Sequence, residues 1–182
     1  MGTTTYIAFL RGVNVGGHLV KMERLRELFS ELGVGNVRSY IQSGNVFFET
    51  EETDRSVLSH NIGAHLAAAL GYEVPVFLRT PTEVEHALKL NPFEHMEVTA
   101  EMRLFLIFLS DPLPTHLTLP VHSPGRDFEI VLTTPGEAFV VMRLVNGRPG
   151  NPVAFIERTF KVQATSRFFA TAAKILQACR AG

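Results

Sequence analysis

The sequence predicts an α+β fold made of two ferredoxin-like halves, each a split βαβ unit with a mainly antiparallel sheet and helices packed on one face. Three observations carry this reading. Residues 1–80 run strand, helix, strand, strand, helix, strand. Residues 102–182 return to that order more loosely, with no repeat at the level of letters. Between them, residues 81–101 read as a helical connector opened by Thr80-Pro81-Thr82-Glu83, a capping box with proline at the first helical position.

Each element has its own cause. Residues 6–10 form a continuous apolar run, as expected of a central strand. Met22, Leu25, Leu28, Phe29 and Leu32 recur at helical spacing over residues 21–32, and Gly33 supplies the stop. Residues 37–41 and 46–49 flank Gln42-Ser43-Gly44-Asn45, a hairpin pattern. Leu58, Ile62, Leu66 and Leu70 mark a second helix, capped by Thr53 or Asp54 and ended near Gly71. Residues 74–78 make the fourth strand. In the second half, residues 102–109 are another central run, while Pro112, Pro114, Pro120 and Pro124 allow only a short helix or an irregular crossover. Residues 127–132 and 137–144 form a hairpin around Thr134-Pro135-Gly136. Asn151-Pro152 opens a helix, residues 162–165 suit a short strand, and Phe168, Phe169, Ala172, Ile175, Leu176 and Cys179 trace the last helical stripe.

The 182 residues carry a formal net charge of −1, with 46% hydrophobic and 19% charged side chains, ordinary globular values that exclude a disordered tail or a generally basic nucleic-acid coat. Charge is uneven. Residues 51–101 hold three Lys/Arg and nine Asp/Glu, whereas residues 138–182 hold seven Lys/Arg and one acid, Glu157. These are read as solvated faces or, alternatively, as a basic end that attracts anions. One cysteine, Cys179, permits no internal disulfide, and no signal peptide is expected, so the expected location is the cytoplasm. The most apolar stretch, residues 104–109, is too short to cross a bilayer, and no membrane partner is expected. Seven histidines include no HExxH, so no metal site is expected.

The segment Arg11-Gly12-Val13-Asn14-Val15-Gly16-Gly17-His18 joins a strand to a helix. Glycines that bring backbone amides to a helix start favour an anion. Gly12 and Gly17 keep the spacing of a Walker A loop, but His18-Leu19 replace its Lys-Ser/Thr, so a nucleotide-hydrolysing P-loop is excluded. In a split βαβ unit the first two strands run parallel, so this loop and the 42–45 turn open at the same sheet end. That gathers Arg11, Gly12, Asn14, Gly16, Gly17 and Lys21 with Gln42, Ser43, Gly44 and Asn45, a rim suited to a phosphate, carboxylate or nucleotide-like ligand. The plainer alternatives are a turn whose glycines supply positive φ and a polar hairpin tip.

The string from Tyr6 to Gly17, then Lys21-Met22 and Leu25-Arg26, then the string from Val37 to Phe47, resembles the signature of the domain of unknown function 1697 family. Phe128, Gly136-Glu137, Gly147-Arg148 and Ala164-Thr165-Ser166-Arg167 follow in the family's order, so the resemblance extends over essentially the whole chain. It implies a bacterial-type α+β protein with ferredoxin-like repeats; it points to no particular activity, and it leaves the cofactor open. One departure stands out. The family's closing Thr-Thr-Arg-Asn-Trp-Asn-Thr is here Thr165-Ser166-Arg167-Phe168-Phe169-Ala170-Thr171. Arg167 joins the candidate ligand residues through this motif, the alternative being a helix cap with a solvated arginine.

Three functional readings result. The first is a binding module for a small anionic or nucleotide-like ligand at the rim. The second is an enzyme at the same rim, using Ser43 or His18 with Arg11 stabilising developing charge, although no catalytic residue can be assigned. The third is nucleic-acid binding through the basic residues 143–180, held as the weaker partner reading. Association between copies through an open sheet edge is compatible with all three.

Overall fold

The computed structural model describes residues 2–182. The fold is α+β, and the described residues form two antiparallel sheets of four and five strands and five helices. It divides into two compact units, Met1–Glu85 with Ile175–Gly182, and His86–Lys174.

The first unit contains β1 (Thr4–Leu10), α1 (Met22–Ser30), β2 (Gly35–Ser39), β3 (Asn45–Thr50), α2 (Arg55–Leu70) and β4 (Val76–Arg79), in the sheet order β2-β3-β1-β4. This is the ferredoxin-like arrangement the element order predicts. Alternate residues of the sheet, Tyr6, Ala8, Leu10, Val46, Phe48 and Leu78, form one buried core with Leu25, Leu28 and Phe29 of α1 and Leu58, Ile62 and Leu66 of α2. Phe48 meets Tyr6 and Phe29 with ring centroids 5.9 and 5.6 Å apart. The opposite face is buried too, at Ile7, Phe9, Phe47 and Phe77. Burial of both faces explains why β1 and β3 read as unbroken apolar runs rather than as alternation.

Helix ends follow the capping signals. Asp54 Oδ1 accepts from the amides of Ser56 and Val57, and Gly71 closes α2 at φ 82°. The capping box opening α3 (Pro81–Leu90) is complete, with Thr80 N donating to Glu83 Oε2 at 2.8 Å and Glu83 N to Thr80 Oγ1 at 3.2 Å. By contrast, Lys21 stands at the N-cap of α1 and makes no side-chain cap bond.

The second unit orders its strands β6-β7-β8-β5-β9, from β5 (Met102–Leu109), β6 (Val121–His122), β7 (Phe128–Thr133), β8 (Glu137–Arg143) and β9 (Ala164–Phe168). The proline-rich crossover holds no helix; it packs Leu113, Leu117 and Leu119 onto the core and adds the short strand β6, which its prolines had hidden. α4 (Pro152–Phe160) is capped by Asn151, whose Oδ1 accepts from Ala154 N at 3.0 Å. The last strand runs further than expected. Phe168 belongs to β9, not to α5 (Phe169–Arg180), because it pairs with Phe105 and stacks on its ring at 5.0 Å.

The two units share internal geometry. Leu10 N donates to Gly44 O in one and Leu109 N to Gly136 O in the other, each at 2.9 Å. Arg79 pairs with Ile7 across β4 and β1, and Arg167 with Leu106 across β9 and β5. Each buried arginine reaches back to the carbonyl of the residue before it, at 2.8 and 2.9 Å. Tertiary hydrogen bonding thus shows the repeat that the letters had lost.

Candidate functional site

The first two strands are both antiparallel to β3, and Phe9 pairs with Asn45, so the β1–α1 loop and the β2–β3 turn open at one end. They are also joined. Asn14 Nδ2 donates to Gln42 O at 2.6 Å, while Asn14 Oδ1 accepts from Val20 N at 2.7 Å. Asn14 N donates to His18 O and His18 N to Val15 O, which curls the glycine-rich segment into a compact loop. Asn14 holds φ 58°, a left-handed conformation that asparagine tolerates better than most residues. Its amide is engaged on both sides by backbone, so it ties the two loops together.

Gly44 and Asn45 are likewise structural. A Cβ on Gly44 would lie 3.0 Å from Leu10 Cβ and 3.2 Å from Val13 Cβ, and its φ is 79°. Asn45 is fully buried, and its Nδ2 donates to Tyr40 O at 3.2 Å and to Ser43 Oγ at 2.9 Å. Gly12, Gly16 and Gly17 differ: each has positive φ, but a Cβ there would meet open space. Their backbone can therefore be approached from outside. Gln42, Ser43, His18 and Lys21 are exposed and Arg11 is half-buried.

A third loop reaches this end. Leu10 pairs with Val76, and Arg11 N donates to Pro75 O at 3.1 Å. That brings Tyr72 under His18, with ring centroids 4.0 Å apart at 45°. Burial raises the Tyr72 phenol above its ordinary pKa. Sequence reasoning missed Tyr72, although the parity argument that joined the first two loops applies equally to the entry into β4.

Arg167 lies apart in sequence and belongs to the second unit. It is not a solvated helix cap: it sits in β9, 8% exposed, donating to Thr165 Oγ1 at 3.2 Å and Ser166 O at 2.9 Å. Burial pushes its guanidinium down to about 10. The basic residues 143–180 are also partly engaged. Arg143 pairs with Glu129 at 3.2 Å and Arg180 with Glu85 through both carboxylate oxygens at 3.1 Å, while Arg148, Arg158, Lys161 and Lys174 are exposed.

An open groove of about 700 Å³ runs beside α1, lined by Glu23, Arg26, Glu27, Ser30, Glu31 and Val37. Its three carboxylates suit an anion poorly. Among the described residues no group of three or more His, Cys, Asp or Glu side chains could hold a metal ion, and no helix is long and apolar enough to cross a membrane.

None of the curated proteins matches the chain. Among solved structures it is similar to conserved bacterial protein SP0830 from Streptococcus pneumoniae, at 20% identity and a TM-score of 0.69, covering 98% of this chain and 99% of that one. At that identity the likeness speaks for the fold. A family model described as a protein of unknown function, DUF1697, matches residues 3–138, which takes in the whole rim and stops short of the altered 165–171 segment. A match over most of the length, on a shared architecture, leads to one conclusion: the chain belongs to the DUF1697 family.

Proposed function

We propose that this chain is a cytoplasmic binding module for a small anionic or nucleotide-like ligand, taken up at the rim made by the 11–17 loop, Lys21 and the 42–45 turn. The observation that carries the reading is the bond from Asn14 to Gln42 O beside a helix start without a side-chain cap. The first amides of α1 have no partner within the helix, and the dipole there favours negative charge. Arg11 and Lys21 add full charges of the same sign. The work divides between two sets of residues: Asn14, Gly44 and Asn45 hold the loops together, while Arg11, Gly16, Gly17, Lys21, Gln42 and Ser43 meet the ligand. The corresponding edge of the second unit lacks this character: by the shared pairing of Leu10 with Gly44 and Leu109 with Gly136, Ser110-Asp111 stand where the first unit has Arg11-Gly12, and the buried Glu137 stands where it has Asn45.

Thermal unfolding in inorganic phosphate, AMP and ATP tests the proposal. A ligand at a hundred times its Kd adds about 2.7 kcal/mol, which for a chain of this size raises Tm by about 5–10 °C. Arg11→Ala and Lys21→Ala should each lose most of that rise. Equal stabilisation of wild type and both variants refutes binding at this rim.

A further inference from the structure

Leu19 is 84% exposed and Val15 58%, both on the glycine-rich loop, and Ile41, 44% exposed, adjoins the turn that Asn14 ties to that loop. The other exposed large apolar side chains, Val57, Leu90, Val98, Val145 and Phe168, lie on other elements and connecting segments. Single exposed apolar residues need no explanation, but a group held together at one end of a unit does. A side chain as exposed as Leu19 projects outward and cannot be the wall of a cleft. A small ligand seated in the rim would leave it in water, whereas a medium it can enter would bury it.

Charge indicates which medium. Residues 11–22 contain Arg11, His18 and Lys21 and no carboxylate, and residues 40–45 contain no charged side chain. Projecting apolar side chains flanked by cations suit the interface of a bilayer with anionic headgroups, where apolar burial and electrostatic attraction add. We propose that the rim docks peripherally on an anionic lipid surface, with Leu19, Val15 and Ile41 entering the interface and Arg11 and Lys21 on headgroup phosphates. This rests on the reading of the rim as an anion site and names the source of its phosphate as a lipid headgroup. It departs from the sequence expectation of no membrane partner. Glu73, exposed on the α2–β4 loop that reaches the same end, and Glu23, exposed in the first turn of α1 two residues from Lys21, oppose the attraction.

Co-sedimentation with vesicles tests the inference, using phosphatidylcholine alone and phosphatidylcholine with roughly 30% phosphatidylglycerol. The anionic vesicles should carry wild type into the pellet and the neutral ones should not. Leu19→Ser, at an exposed position where the fold is indifferent, should lower the partition coefficient about tenfold or more, and Glu73→Gln should raise it. Equal pelleting by both vesicles, or an unchanged Leu19→Ser variant, overturns the proposal. A thermal shift in inorganic phosphate separates the two levels. If phosphate stabilises the protein while vesicles leave it in the supernatant, the lipid source is wrong and the anion rim stands. If neither binds, both are wrong.

Discussion

Replacing Gly44 by alanine probes the joint on which the rim depends. The residue holds φ 79°, and an added Cβ would sit 3.0 Å from Leu10 Cβ, 3.2 Å from Val13 Cβ and 3.5 Å from Leu10 O. These neighbours are Cβ atoms and backbone, so no rotamer change can relieve the contact. Gly12 provides the control: its φ is 76°, and a Cβ there meets nothing within 4 Å. Both variants incur the left-handed cost of an L residue, about 1–2 kcal/mol, less about 0.4–1 kcal/mol from a stiffer unfolded chain. Gly12→Ala should therefore destabilise by about 0.5–1 kcal/mol. Gly44→Ala adds an overpacking cost of about 1–3 kcal/mol at a site already filled, for a total of about 1.5–4 kcal/mol. Against a usual stability of about 5–15 kcal/mol this is a large fraction. Urea unfolding at fixed m-value measures both. If Gly44→Ala is no more costly than Gly12→Ala, the close approach of the turn to Leu10 and Val13 is not what requires glycine there.

Two further outcomes follow from the polar network. Arg38 donates from Nη1 to Ala178 O at 3.2 Å and from Nη2 to Cys179 O at 2.9 Å, and its guanidinium lies 5.4 Å from the Phe47 ring centroid. A cation on helix C-terminal carbonyls is doubly favoured, so Arg38→Ala should cost about 2 kcal/mol and accelerate amide exchange at the end of α5, with Arg38→Lys intermediate because it lacks the fork; unchanged exchange there would contradict the latch. Burial pushes the Glu83 carboxyl up, but Arg55 at 2.9 Å and the Thr80 amide outweigh it and hold the group below its ordinary value of 4.5. A folded-state pKa below the unfolded one contributes stability above that ordinary value, lost as pH falls through the depressed one. The stability gap between wild type and Glu83→Gln should therefore shrink between pH 7 and pH 3, and a gap that widens on acidification would show that the carboxylate is not favoured by folding.

How far the site was legible depended on the range of each interaction. Asn14 and Gln42 are 28 positions apart, yet their meeting follows from strand direction alone, because two strands antiparallel to the same neighbour bring their ends together. That Asn14 would have its amide consumed by Gln42 O and Val20 N was not legible, since a polar loop residue looks the same whether it faces ligand or backbone. Arg167 illustrates the same limit: a motif marked it, but only the pairing of β9 with β5 showed it buried in a strand.

Apolar spacing, capping residues and glycine punctuation are local quantities, and they were enough to determine the order of the elements in the first unit, the ferredoxin-like pairing and the end of the sheet where two polar loops open, but not the short strand β6 of the second. Tertiary packing decided what no local pattern encodes: that Tyr72 lies beneath His18, that Arg38 reaches carbonyls 140 and 141 positions away, and that Leu19 projects while Val13 is buried. The physical reason is that backbone conformation responds to neighbours in sequence, whereas the partner of a polar group and the exposure of an apolar one are set by whichever surfaces the completed fold brings against them.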